Sequence, residues 1–190
     1  MNISLGRLRE IGPILRRFFI NTLFDSTFTQ LGILIGSAFA NNPDLRLVLG
    51  TLISSSIALG ISTGVSVYES ETLERERKTI DLEKALFRKL DKTRLAETYR
   101  SYARLLAIVN FVTPLICCAI IILPILAAFF HLLETATASW LSIILAMAIL
   151  FTAGVYFGRY GKQNPIKKGL RMVGFGFIAF AAGYLIQTLL

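Results

Sequence analysis

The chain has one histidine, two cysteines and five prolines in 190 residues, and each scarcity closes off a class of function. A single imidazole leaves no Cys and His spacing for a zinc site and no His-centred catalytic set. No glycine-rich phosphate loop and no nucleophile elbow is present, so the chain reads as a non-enzyme with no permanently bound cofactor. Cys117 and Cys118 are neighbours and cannot staple distant segments together. They read as small apolar side chains packed in a helix, against the alternative of a soft-metal ligand pair. Charge is missing too, from several stretches long enough to cross a bilayer.

What is present is apolar: 54% of the residues are hydrophobic, beyond the usual share for a soluble domain. Nineteen of the twenty Lys and Arg residues fall in three blocks, Arg7 to Arg17, Arg75 to Arg104 and Arg159 to Arg171, with Arg46 alone elsewhere. Cytoplasmic loops collect Lys and Arg, so all three blocks are placed on the inner side. The expected architecture is an all-α membrane protein with five transmembrane helices, amino end inside and carboxyl end outside. The net charge of +8 then faces anionic headgroups, and nucleic acid is not expected as a partner. The bilayer is.

Four segments follow. Residues 1–17 carry Leu5, Leu8, Ile11 and Leu15 at helical spacing among arginines, the pattern of an amphipathic helix lying on the inner surface, and they lack the apolar core of a cleaved signal. Residues 18–68 form a hairpin of two spans, Phe18 to Ala40 and Leu47 to Tyr68, joined at Asn41, Asn42 and Pro43. Residues 69–104 hold ten basic and eight acidic residues and continue the second helix into the cytoplasm, with a corner at Asp91 to Thr93. Residues 105–190 contain the last three spans. In the first of these, about Leu105 to Phe130, Pro114 and Pro124 predict a kink. His131 to Ser139 is expected as a short outer loop.

Asp25 lies inside the first span, where an ionised acid costs a few kcal/mol unless it faces protein, water or a cation. At 100° per residue, Thr22, Asp25, Thr29, Gly32, Gly36 and Ala40 fall within an arc of about 80°. Such a stripe permits close approach of another helix at Gly32 and Gly36, and it offers hard oxygen ligands to a cation. The bland alternative is an aspartate that hydrogen-bonds a neighbouring helix. GxxxG spacing recurs at Gly60 to Gly64 and Gly154 to Gly158, so it is not distinctive by itself. On the second helix Ser55, Ser62, Ser66 and Glu69 form another stripe ending in an acid at the inner mouth. Glu69, Glu76 and Glu83 are seven apart and share a face that could gather divalent cations, set against a plain ion-pair face with Arg75, Arg77, Lys78 and Lys84. His131 and Glu134, one turn apart, make only a two-ligand pair.

The run DSTFTQLGILIG from Asp25 to Gly36 resembles the first-helix signature of the vacuolar iron transporter family. Ser62, Gly64 and Tyr68 resemble its second-helix positions, and GRYGKQNPIKKGLRMVGFGFIAFAAGYLIQTLL from Gly158 to Leu190 resembles its closing loop and fifth helix. The resemblance implies a homodimer in a membrane, here a prokaryotic cell membrane. It further implies export of Fe²⁺ or Mn²⁺ in exchange for protons along a path between the two first helices. By resemblance Asp25 would be the membrane carboxylate of that path. The stripes read above add Thr22, Thr29, Gly32, Gly36, Ser62, Thr63 and Ser66 as its lining and Glu69, Glu76 and Glu83 as candidate metal contacts, which are not equated one for one with the family's because the loop from Glu69 to Arg104 looks shorter. Phe24 and Ser26 replace the family's usual Asn and Gly, Thr63 stands where a metal-contacting Met is common, and a Glu expected near Val67 is missing. Oxygen in place of sulfur predicts harder selectivity, with Mn²⁺ competing well against Fe²⁺. The departures also leave open a dimeric membrane scaffold that keeps the fold without transport.

Overall fold

A computed structural model describes residues 5–38, 44–87, 94–161 and 164–189. The described residues form six helices and no strand: α1 (Leu5–Ala38), α2 (Leu45–Leu86), α3 (Arg94–Ile121), α4 (Leu123–Phe129), α5 (Thr135–Tyr160) and α6 (Pro165–Leu189). Five of them contain stretches long and apolar enough to span a bilayer: Gly12–Ser37, Leu45–Ala85, Ser101–Ile121, Thr135–Tyr160 and Pro165–Gln187. The chain is an integral membrane protein. The turn expected at Asn41 to Pro43 and the corner at Asp91 to Thr93 lie outside the described residues.

The amino-terminal arginine-rich stretch and the first span are one helix, with Pro13 inside it. Helix α2 begins at Asp44, whose carboxylate accepts from the Arg46 backbone N–H at 2.9 Å, the ordinary way an N-cap satisfies an orphan donor. It then runs unbroken for 42 residues. At ~1.5 Å per residue that is about 63 Å, roughly twice a hydrocarbon core of ~30 Å, so half of α2 stands clear of the membrane. Its charged half carries i,i+4 ion pairs, Glu71 with Arg75 at 3.5 Å and Glu74 with Lys78 at 3.3 Å.

The two prolines expected to kink the third span behave differently. Pro114 lies within α3 without ending it. Its missing N–H would strand the Asn110 carbonyl one turn back, but the Thr63 hydroxyl of α2, 2.8 Å from the Leu59 carbonyl of its own helix, also lies within hydrogen-bond distance of that oxygen at 3.1 Å. Pro124 instead sits in the first turn of the short helix α4, where no N–H is needed, and the span divides there. Helix α4 closes on His131, whose positive φ of 58° accompanies bonds from the His131 N–H to Ala128 O and from the Leu132 N–H to Ala127 O, both 2.9 Å. That pair is a Schellman cap. Helix α5 starts at Thr135, four residues before the end of the loop expected from sequence.

Helix α1 is the centre of the bundle and touches α2, α3, α5 and α6, while α2 packs chiefly on α3 and α5 on α6. Leu31, Leu34, Ile35, Leu52, Ile121 and Ile125 form its core with almost no exposed surface. Close approach is made by glycine. A Cβ on Gly60 would sit 2.7 Å from the Phe111 carbonyl oxygen of α3, and one on Gly158 would sit 2.5 Å from Pro165 Cα of α6. Both cysteines are buried and reduced.

Candidate ion path

Three contacts fix the rotation of α1. The Thr22 hydroxyl donates to the buried side-chain oxygen of Asn110 on α3. Phe24 stacks on Phe157 of α5 with ring centroids 6.3 Å apart. The Gln30 amide reaches across to Ser56 Oγ of α2 at 3.0 Å and to the Pro114 carbonyl of α3 at 3.3 Å. At the basic end of the span, Arg16 lies over the Tyr160 ring of α5 at 3.6 Å, adding a cation–π contact on the same side. With these positions held inward, the remaining face of α1 must point away from the bundle.

That face is polar and small. Asn21, Asp25, Thr29, Gly32 and Gly36 are exposed, and a Cβ built on either Gly32 or Gly36 meets nothing within 4 Å. The Thr29 hydroxyl bonds back to the Asp25 carbonyl at 2.7 Å, which leaves its lone pairs directed outward. No hydrogen bond or ion pair to the Asp25 carboxylate is found among the described residues. Thr22 does not share this face. It is 4% exposed, because the 80° arc puts it at the edge of the stripe and Asn110 draws it inside. Ala40 lies outside the described residues.

On α2, Ser62, Ser66 and Glu69 are exposed, whereas Thr63 is half-buried against the Asn110 carbonyl. Farther along, Glu76 is exposed and Glu83 half-buried, and Glu71 is the one buried acid among the described residues, beside Arg75. His131 and Glu134 are both exposed at the α4–α5 turn. Among the described residues no three of His, Cys, Asp and Glu converge to hold a metal ion. Within the chain, then, Asp25 has hydroxyl, carbonyl or water oxygens as possible co-ligands, and these suit hard divalent cations.

Two buried amides, Gln30 and Asn110, order the helices around this face and do not stand out in the sequence reading. An amide in an otherwise apolar run is the signal that marks them, since such groups are retained in membrane helices when they bond across to a neighbour.

Comparison with known proteins bears chiefly on the last three spans. Residues 106–188 match the model of the VIT family. An uncharacterized protein, MJ0645 of Methanocaldococcus jannaschii, is 27% identical over 168 residues, covering 87% of this chain and 84% of that protein. The resemblance to the vacuolar iron transporter family is thereby borne out over the last three spans, while the archaeal protein, itself uncharacterized, is similar over most of the chain.

Proposed function

We propose that the protein is a homodimeric, proton-coupled exporter of divalent metal, Fe²⁺ or Mn²⁺, whose path runs between the two copies of α1. The observation that carries this reading is the exposure of Asp25, Thr29, Gly32 and Gly36 on one uncovered face of a membrane-spanning helix. A carboxylate at that depth is costly in lipid, and a second copy of α1 laid across the two glycines would take it out of the hydrocarbon. Two Asp25 side chains then face each other with hydroxyls beside them. Like charges so placed are relieved either by a divalent cation or by protons, and the alternation between the two is antiport. The basic blocks orient the amino end and the α2 extension toward the cytoplasm, which sets Glu69 and Glu76 at the entrance for outgoing ions. The match to a family of membrane transporters supports the same class of activity.

The test is metal uptake into proteoliposomes under an imposed pH gradient. Wild-type protein is expected to accumulate Mn²⁺ and Fe²⁺, and Asp25→Ala to fall to the rate of empty vesicles with an unchanged melting temperature. Equal rates for the two proteins would remove Asp25 from the path. A scaffold that keeps the fold without transport is favoured by one observation, the absence of a three-ligand cluster in the described protomer. It predicts no metal-dependent rise in thermal stability.

A further inference from the structure

Positive charge is unevenly compensated along the chain. Residues 69–104 set ten basic residues against eight acidic ones, whereas no Asp or Glu occurs anywhere from Thr135 to Leu190, a stretch that holds Arg159, Lys162, Lys167, Lys168 and Arg171. The hairpin of α5 and α6 therefore has a cationic end with no acid of its own to answer it. Its turn is tight, with Gly158 pressed on the Pro165 backbone, and Arg16 of α1 joins the same end over the Tyr160 ring.

On α6 the cations divide by rotation. Gly169 is pressed on Phe151 and Val155 of α5 and Gly176 on Met147 and Leu150, while Lys168 lies over the Phe157 ring at 5.2 Å. Lys167 and Arg171 each stand about 160° from Gly169 and about 40° from each other, so they point away from the bundle. Both are exposed. No hydrogen bond or ion pair of either side chain is found among the described residues, and Arg171 lies over the Phe175 ring at 5.7 Å, a contact that leaves its N–H donors unspent. The same face continues through Leu170, Gly174 and Ile178, all exposed, and a Cβ on Gly174 meets nothing within 4 Å. Because the span Pro165–Gln187 begins at this end, the two cations stand in its first two turns, at headgroup level, with an uncovered apolar face directly beyond them.

We propose that this face of α6 holds one anionic phospholipid, its phosphate shared by Lys167 and Arg171 and an acyl chain lying over Gly174 between Leu170 and Ile178. Two donors one helical turn apart can grip a single phosphodiester through charge-assisted hydrogen bonds. A zwitterionic lipid would bring its ammonium to a cationic surface with no carboxylate to receive it. A second copy of the same face, packed about a two-fold axis, would set Lys167 and Arg171 against their own like charges. Charge and depth therefore favour an anionic lipid as the occupant. The proposal concerns α6 and does not depend on the path along α1.

Native mass spectrometry of the full-length protein, delipidated and then offered equimolar phosphatidylglycerol and phosphatidylcholine of matched chains, tests it. The wild type is expected to retain one phosphatidylglycerol per protomer at least about fivefold over phosphatidylcholine, the scale of one basic residue at an anionic surface. The double variant Lys167→Gln with Arg171→Gln, at two exposed sites, should bring the two lipids to parity. Arg77→Gln with Lys84→Gln removes the same charge from exposed positions of α2 and should keep the preference, which separates a site from net charge. Excess glycerol 3-phosphate, which offers the phosphate without the chains, should leave the lipid bound. Equal retention by the wild type, a preference that survives the α6 double variant, an equal loss in the α2 variant, or displacement by glycerol 3-phosphate each overturns the assignment. So does a Gly174→Trp protein that retains the lipid but loses self-association, which would give the face to a second copy of the chain.

Discussion

The two sides of α1 carry similar residues in opposite circumstances. Facing the bundle are Thr22, Ser26, Thr27 and Gln30, all fully or almost fully buried. Their polar groups are spent on Asn110, on the Leu23 carbonyl and on Ser56. Facing outward are Asn21, Asp25, Thr29, Gly32 and Gly36, exposed and uncovered. The glycine pairs divide in the same way. Those of α2 are already pressed against Phe111 and those of α5 against Gly169 and Pro165, whereas the pair on α1 has open space above it. Inward polarity is structural and is bonded within the bundle, apart from the carboxamide oxygen of Gln30. Outward polarity in a membrane helix demands a partner, and that demand is what the proposed dimer path answers.

The largest effects should come from placing a bulky side chain on each kind of glycine. Gly158→Leu drives a Cβ to within 2.5 Å of the Pro165 backbone, and overpacking against main chain is expected to cost about 3 kcal/mol or more, seen as loss of folded protein in detergent. A Cβ added at Gly36 meets no atom of its own chain within 4 Å, so Gly36→Leu starts into open space. Its melting transition should stay within about 0.5 kcal/mol of wild type, while the dimer fraction in sedimentation and the metal flux both collapse. Should Gly36→Leu leave oligomeric state and flux unchanged, the outward face would have no partner and the contrast would lose its functional meaning.

Much of this division is legible in the sequence, and the limits of that legibility are physical. Five spans follow from uncharged runs between basic blocks, and the unbroken α2 follows from the lack of any proline between Leu45 and Leu86. The grouping of Asp25, Thr29, Gly32 and Gly36 needs only the 100° rotation per residue. Thr22 escapes that arithmetic because it lies at the margin of the arc, where the choice between inside and outside is made by Asn110, 88 residues away in the chain. Pro114 and Pro124 look alike in a hydropathy plot. Only the fold reveals that the Thr63 hydroxyl comes within hydrogen-bond distance of the carbonyl bared at one, while the other begins a new helix.

On the inward face the next-largest effect belongs to Asn110. Its amide donates to the Leu106 carbonyl at 2.8 Å and its oxygen accepts from Thr22, in a site with no exposed surface. Asn110→Leu removes both bonds and strands the Thr22 hydroxyl, for an expected loss of about 1–2 kcal/mol. Chemical denaturation in mixed micelles measures it. Thr22→Val in the same background should recover part of the loss, because the stranded hydroxyl is then gone.

Gln30 is expected to respond least, although it too is fully buried and bonded to two helices. Its carboxamide oxygen has no hydrogen-bond partner among the described residues, and an orphaned buried acceptor costs about 1–3 kcal/mol. Gln30→Leu relieves that cost while giving up the long bond to the Pro114 carbonyl and the bond to Ser56, whose hydroxyl still donates to the Leu52 carbonyl at 2.7 Å. The two changes nearly offset, so stability should move by less than about 0.5 kcal/mol. The difference between the Asn110 and Gln30 variants is therefore the informative quantity. If Gln30→Leu proves as costly as Asn110→Leu, the free oxygen must be satisfied in the membrane by water, and the interior of α1, α2 and α3 would be wet as well as its outer face.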